Sequence, residues 1–100
     1  EPILDMNGGL KNYSLFSDIE NNFSVYQIEV GKEISWISEA HLCGTAEFVI
    51  VIQGTLEIKL EEKTFILKKG ENLWFKADVP HSYCNLDEGT TIFHNILYNK

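Results

Sequence analysis

No segment of this chain carries the long 3.6-residue apolar period of a helix; its apolar residues fall in short runs closed by turn residues at regular spacing. Phe23 to Val30 (FSVYQIEV) is rich in β-branched and aromatic residues, and Gly31-Lys32 closes it. Ile34 to Ile37 reads as a second short strand. Glu47 to Gln53 (EFVIVIQ) is apolar on both faces, which predicts burial on both sides. Gly54-Thr55 bends the chain into Leu56 to Leu60, whose alternation puts Leu56, Ile58 and Leu60 on one face. The charged tip Glu61-Glu62-Lys63 turns it into Thr64 to Leu67, and Lys68-Lys69-Gly70-Glu71 leads on to Asn72 to Phe75. Pro80 precedes His81 to Asn85, and Asp87-Glu88-Gly89 precedes Thr90 to Tyr98. Asn7-Gly8-Gly9 reads as loop, and Tyr13 to Phe16 as an edge strand or a packing tail. The pattern predicts an all-β sandwich or closed barrel.

A chain of 100 residues is enough for one core, and no repeat, low-complexity tract or linker divides it. We read residues 1–20 as an N-terminal segment, linker or edge strand packing on a barrel, and 21–100 as the barrel itself. No apolar run approaches the roughly 18 residues of a membrane span. The opening Glu1-Pro2-Ile3-Leu4-Asp5 has neither the basic start nor the apolar stretch of a signal peptide, and without an initiator Met it reads as a piece of something longer or a trimmed tag. The formal net charge is −7 and every cation is a lysine. Polyanion readers need a positive face and favour arginine, so this piece alone is not expected to bind nucleic acid. Cys43 and Cys84 are too few for a disulfide scaffold and are expected as free thiols in a reducing cytoplasm.

Two stretches go beyond strand pattern: HLCGTAEFVIVIQG from His41 to Gly54 and GENLWFKADVPHSYCN from Gly70 to Asn85. Together they resemble the two motifs of the cupin superfamily, which implies a double-stranded β-helix, the cupin or jelly-roll barrel, with metal-binding histidines and a glutamate on its strands. Six residues separate Glu47 from Gly54, as in the first motif, and three separate His81 from Asn85, as in the second. The first motif commonly adds a His-x-His pair before the glutamate; here those places are held by Ala40 and Leu42, with His41 between them. A one-residue slip turns a strand side chain to the opposite face, so His41 reaches the interior only if a bulge or loop near Gly44 absorbs the offset. From about Leu15 onward the chain is similar to the C-terminal sensor domain of XRE-type helix-turn-helix transcriptional regulators, most specifically in ADVPHSYCN and FHNILY. In such regulators a DNA-binding domain precedes the sensor.

The resemblance implies metal ligands at His41, Glu47 and His81. Two imidazoles and a carboxylate suit zinc, iron, nickel or manganese and leave coordination positions open. Tyr83 and Asn85 share a face with His81 by the period of two, and are expected to contact a ligand or to serve the barrel's own hydrogen bonding. His94 is a further candidate for the polar lining. Trp36 and Trp74 read as core or dimer-interface aromatics. The leading function is an effector-sensing domain, cytoplasmic and homodimeric, that reaches DNA only through a helix-turn-helix domain outside this chain. The alternative is a stand-alone metal-dependent cupin enzyme, a dioxygenase or isomerase, for which Glu39 is an acid–base candidate that nothing singles out.

Overall fold

The computed structural model describes the backbone of residues 2–6 and all of residues 9–38, 40, 41 and 43–99. Ten strands follow one another, with no helix among the described residues: β1 (Pro2–Met6), β2 (Leu10–Asp18), β3 (Phe23–Val30), β4 (Ser35–Ser38), β5 (Thr45–Gln53), β6 (Thr55–Leu60), β7 (Lys63–Lys68), β8 (Asn72–Lys76), β9 (His81–Asn85) and β10 (Thr91–Asn99). They build a six-stranded sheet in the order β1-β2-β3-β10-β5-β8 and a four-stranded sheet in the order β4-β9-β6-β7, every described pairing antiparallel. This is the jelly roll expected from the sequence. Tyr13 to Phe16 falls within β2, which is flanked on both sides by β1 and β3 rather than standing at the edge.

The two sheets face each other across the side chains that alternate inward. Phe93, Val30, Val49 and Val51 come from the large sheet and Leu56 and Ile58 from the small one, all with 1% exposure or less. The double apolar pattern of β5 is only half answered by burial. Val49 and Val51 point into the core, whereas Phe48 and Ile50 on the other face are half-buried and Ile52 is 40% exposed.

β5 and β6 belong to different sheets, so the chain must turn a corner between them, and it does so at Gly54 with φ +88°. A Cβ there would stand 2.4 Å from Thr91 Oγ1 and 2.9 Å from Thr91 Cα. Backbone strain and collision therefore act together. Gly54→Ala is expected to cost about 2–4 kcal/mol in urea denaturation; a loss within experimental error would show that the corner relaxes freely.

Candidate metal centre

Glu47 projects inward from β5 and is 1% exposed. Its two oxygens have separate surroundings. Oε2 accepts short hydrogen bonds from the Tyr83 hydroxyl on β9 and from Asn95 Nδ2 on β10. Oε1 faces histidine nitrogens instead, 3.4 Å from His81 Nε2 and 4.0 Å from His41 Nε2. Burial, the negative Glu47 carboxylate and the hydrogen bond to it push the Tyr83 pKa well above 10, so its hydroxyl remains a donor across the ordinary pH range.

His81 opens β9 and is 2% exposed. Its Nδ1 donates to the Val79 carbonyl at 2.8 Å, which fixes the neutral ring with a bare lone pair on Nε2. That buried nitrogen has no aligned hydrogen-bond partner, and it stands opposite a carboxylate oxygen that also carries only lone pairs. Such an arrangement calls for a positive centre between the two atoms, either a proton or a cation. Burial draws the His81 pKa down, but the Glu47 carboxylate and the Val79 carbonyl outweigh it, and the pKa is raised above the ordinary imidazole value. The stabilisation from protonating His81 is therefore fully present below about pH 6.5 and lost as pH rises through the raised folded value. Protein freed of metal with a chelator should lose thermal stability across that window, and His81→Ala should remove the slope; equal slopes would show that His81 does not couple to folding.

His41 lies in the coil between β4 and β5, outside any strand, so the one-residue offset costs nothing. Its backbone N–H donates to Ala77 at 2.9 Å, and Cys43 with Gly44, at φ +92°, turns the chain into β5. Glu39 and Leu42 lie outside the described residues. Among the described residues, the ligand atoms of His41, Glu47 and His81 all lie within 4.8 Å of one another. Two atoms bound to a tetrahedral zinc at about 2.0–2.1 Å stand about 3.3 Å apart, so the 3.4 Å Glu47–His81 spacing suits an ion, while His41 Nε2 stands farther off, 4.0 Å from Glu47 Oε1. The donor set and the bare Nε2 fit a divalent metal.

Two of the three, His41 and Glu47, line a cavity of about 400 Å³ whose walls include Tyr26, Trp36, Tyr83, Asn12 and Asn95, and His81 stands behind Glu47 outside that lining. Trp36 stacks on Tyr83 with ring centroids 4.6 Å apart, so it is a cavity wall rather than only core filling. A larger cleft, about 510 Å³ beside the Glu61–Lys63 turn, has no histidine in its lining; chemistry, not size, distinguishes the smaller one.

The other two candidates stand apart from the triad. Asn85 shares the inward face but is fully engaged elsewhere: Nδ2 donates to the carbonyls of Val30, Gly31 and Gly89, while Oδ1 accepts from Asp87 N and Thr91 Oγ1. His94 points to the outer face of the large sheet and bonds Gln27 through Nε2 at 3.0 Å. Its neighbour Asn95 is the residue that reaches Glu47. Strand alternation along Thr91, Phe93 and Asn95 was the available signal, since these three share a face opposite to His94. Cys43 is exposed and Cys84 half-buried, both as free thiols.

Comparison with known proteins bears on this geometry. The chain is 33% identical over 76 residues to the HTH-type transcriptional regulator SutR of Escherichia coli, covering 76% of this chain and 43% of SutR. It is 35% identical over 60 residues to polyketide synthase CurC of Streptomyces cyaneus, covering 58% of this chain and 39% of CurC. It thus spans less than half the length of either curated relative. The crystal structure of a cupin domain from an XRE-family transcriptional regulator of Enterobacter cloacae superposes with a TM-score of 0.87 at 27% identity, covering 92% of this chain and 98% of that one. With the family model for the cupin domain, Cupin_2, matching residues 25–97, the chain belongs to the cupin domain family and is related to the cupin domains of helix-turn-helix transcriptional regulators.

Proposed function

We infer that this domain is the effector-sensing part of a helix-turn-helix regulator, holding a divalent metal through His41, Glu47 and His81 and a small molecule in the cavity beside it. The observation that carries this reading is the bare, buried Nε2 of His81 opposite Glu47 Oε1. The metal would act as a Lewis acid toward a lone pair of the effector. The chain's own residues set the rest of the recognition. A carboxylate only accepts, so the bond to Glu47 fixes the Asn95 amide with Nδ2 toward Oε2 and Oδ1 turned away. Oδ1 of Asn95 is buried without a partner, as is Oδ1 of Asn12, and both residues line the cavity. An effector that presents an N–H or O–H to these oxygens relieves that deficit, and Trp36 and Tyr26 offer it apolar faces.

Sensing requires the effector to bind two states of the regulator unequally, typically by about 1–3 kcal/mol. The acidic, arginine-free domain is not suited to touch DNA itself, so the response passes to a DNA-binding domain in the same cytoplasmic protein. Reading paired half-sites favours a homodimer. No helix among the described residues is long and apolar enough to cross a membrane. The second reading, a metal-dependent oxygenase or isomerase, draws on the coordination positions that a three-ligand set leaves open.

The test is titration of chelator-stripped protein with zinc, nickel, manganese and iron(II) by calorimetry, followed by DNA-binding assays of the parent protein with and without metal. One equivalent bound and a change in DNA affinity are expected. No metal bound at all would sink the metal-assisted reading. Turnover in the loaded protein, without any effect on DNA, would favour the enzyme.

A further inference from the structure

Strand register places five apolar side chains in a single row across the outer face of the large sheet. Trp74 on β8 lies opposite Phe48 on β5, Phe48 opposite Ile96 on β10, Ile96 opposite Val25 on β3, and Val25 opposite Phe16 on β2. These positions alternate with the inward-facing set, so none contributes to the core between the sheets. Trp74 is 51% exposed and Phe16 54%.

The small sheet shows what a solvated outer face looks like in the same protein. Its two cross-strand rows read Ser35–Cys84–Glu57–Ile66 and Ile37–Ser82–Lys59–Thr64, polar in the middle with one isoleucine at an edge. An antiparallel sheet with one solvated face follows that pattern. The large sheet does not, and a contiguous apolar band of this kind marks an interaction surface. Polar groups beside the row are satisfied within the face: His94 is bonded to Gln27, and Trp74 Nε1 donates to the Tyr98 hydroxyl.

We propose that this face packs against the same face of a second copy of the chain, forming the homodimer about a twofold axis near Ile96. Three observations select a second copy as the occupant. The row carries no charge, and Lys11 and Glu29 lie opposite each other to one side of it. Two copies at −7 each repel wherever charge meets charge, so an uncharged band is the ground on which they approach. The whole outer face of these strands, four of eight or nine residues and β8 of five, about 4.8 Å apart, offers about 650 Å², approaching the roughly 800 Å² per partner of a standard stable interface. A twofold contact needs a self-complementary patch, and twisted sheets pack face to face in an aligned sandwich. The contact would also supply the burial on both faces that the sequence of β5 predicts.

The inference rests on the dimeric form of the sensor reading and names its interface. Light scattering on the eluting wild-type chain should give about twice 11.5 kDa. Ile96→Glu should weaken the dimer about 100-fold or more while leaving the far-UV circular dichroism unchanged, whereas Ile37→Glu on the outer face of the small sheet should leave the dimer intact. Hydroxyl-radical footprinting of the wild type needs no substitution, and should show Trp74 and Phe16 protected in the dimer with Ile37 open. A monomeric wild type overturns both the dimer and this face. A dimer indifferent to Ile96→Glu, or one that protects Ile37 instead of Trp74, overturns the face alone.

Discussion

His81→Ala should abolish stoichiometric metal binding, lowering affinity by more than about 100-fold, because removal of an outer-shell partner alone typically costs about 10–100-fold. The size follows from geometry. His81 offers a buried nitrogen whose tautomer the Val79 carbonyl has already set, so no reorganisation precedes binding. Tyr83→Phe tests that outer shell. It removes a donor from Glu47 Oε2 without touching Oε1, and should fall within the 10–100-fold range. His94→Ala should change nothing, since its ring lies on the opposite face of the sheet. Thermal denaturation supplies a readout that requires neither effector nor DNA. Metal at 100 times its dissociation constant should stabilise the wild type by about 2.7 kcal/mol, and the same concentration should stabilise the His81→Ala variant by less than about 0.4 kcal/mol. Equal stabilisation of both would remove His81 from the ligand set.

The parts of this site that were legible in the sequence are those fixed by strand alternation and by the paired motifs. Glu47, His81 and Tyr83 sit in well-formed strands where the period of two decides the face, and the structure brings all three together. His41 was harder because strand logic does not apply to it; the coil before Gly44 turns it inward. His94 and Asn95 show how narrow the margin is: composition draws attention to the histidine, but one residue of register puts the asparagine at Glu47. The role of Trp36 depended on how two sheets share their interior, which no single strand encodes. Nor does Pro2–Met6 announce a strand locally; it forms one by pairing with β2. The outer face of β5 presented the converse case. Its apolarity was plain, but Phe48 and Ile50 are only half-buried, so the described residues do not complete the burial on both faces that the pattern predicts.

Asn85→Asp should cost about 3–5 kcal/mol at neutral pH, a large share of the roughly 5–15 kcal/mol that holds a domain of this kind together. The substitution keeps the shape and reverses the chemistry. Asn85 is 5% exposed, and its Nδ2 lies 2.9–3.0 Å from three carbonyl oxygens, those of Val30, Gly31 and Gly89. A carboxylate oxygen in that place faces three acceptors with nothing to donate, and a buried charge has no counterion there. These bonds fasten the end of β3, the loop after β9 and, through Thr91 Oγ1, the corner where Thr55 begins β6. Asn85→Ala removes the same bonds without adding charge, and should cost less, about 2–3 kcal/mol. The two variants should therefore diverge with pH. The buried carboxyl is held protonated to higher pH than in the unfolded chain, so the excess penalty of Asp over Ala appears as pH rises above about 4 and grows towards neutrality. Urea denaturation of both variants at acidic and neutral pH reads the difference. If Asn85 instead served the effector, Asn85→Ala would leave stability within about 0.5 kcal/mol of wild type and weaken effector binding; a stability loss with metal affinity unchanged assigns it to the frame that holds the cavity rather than to the cavity.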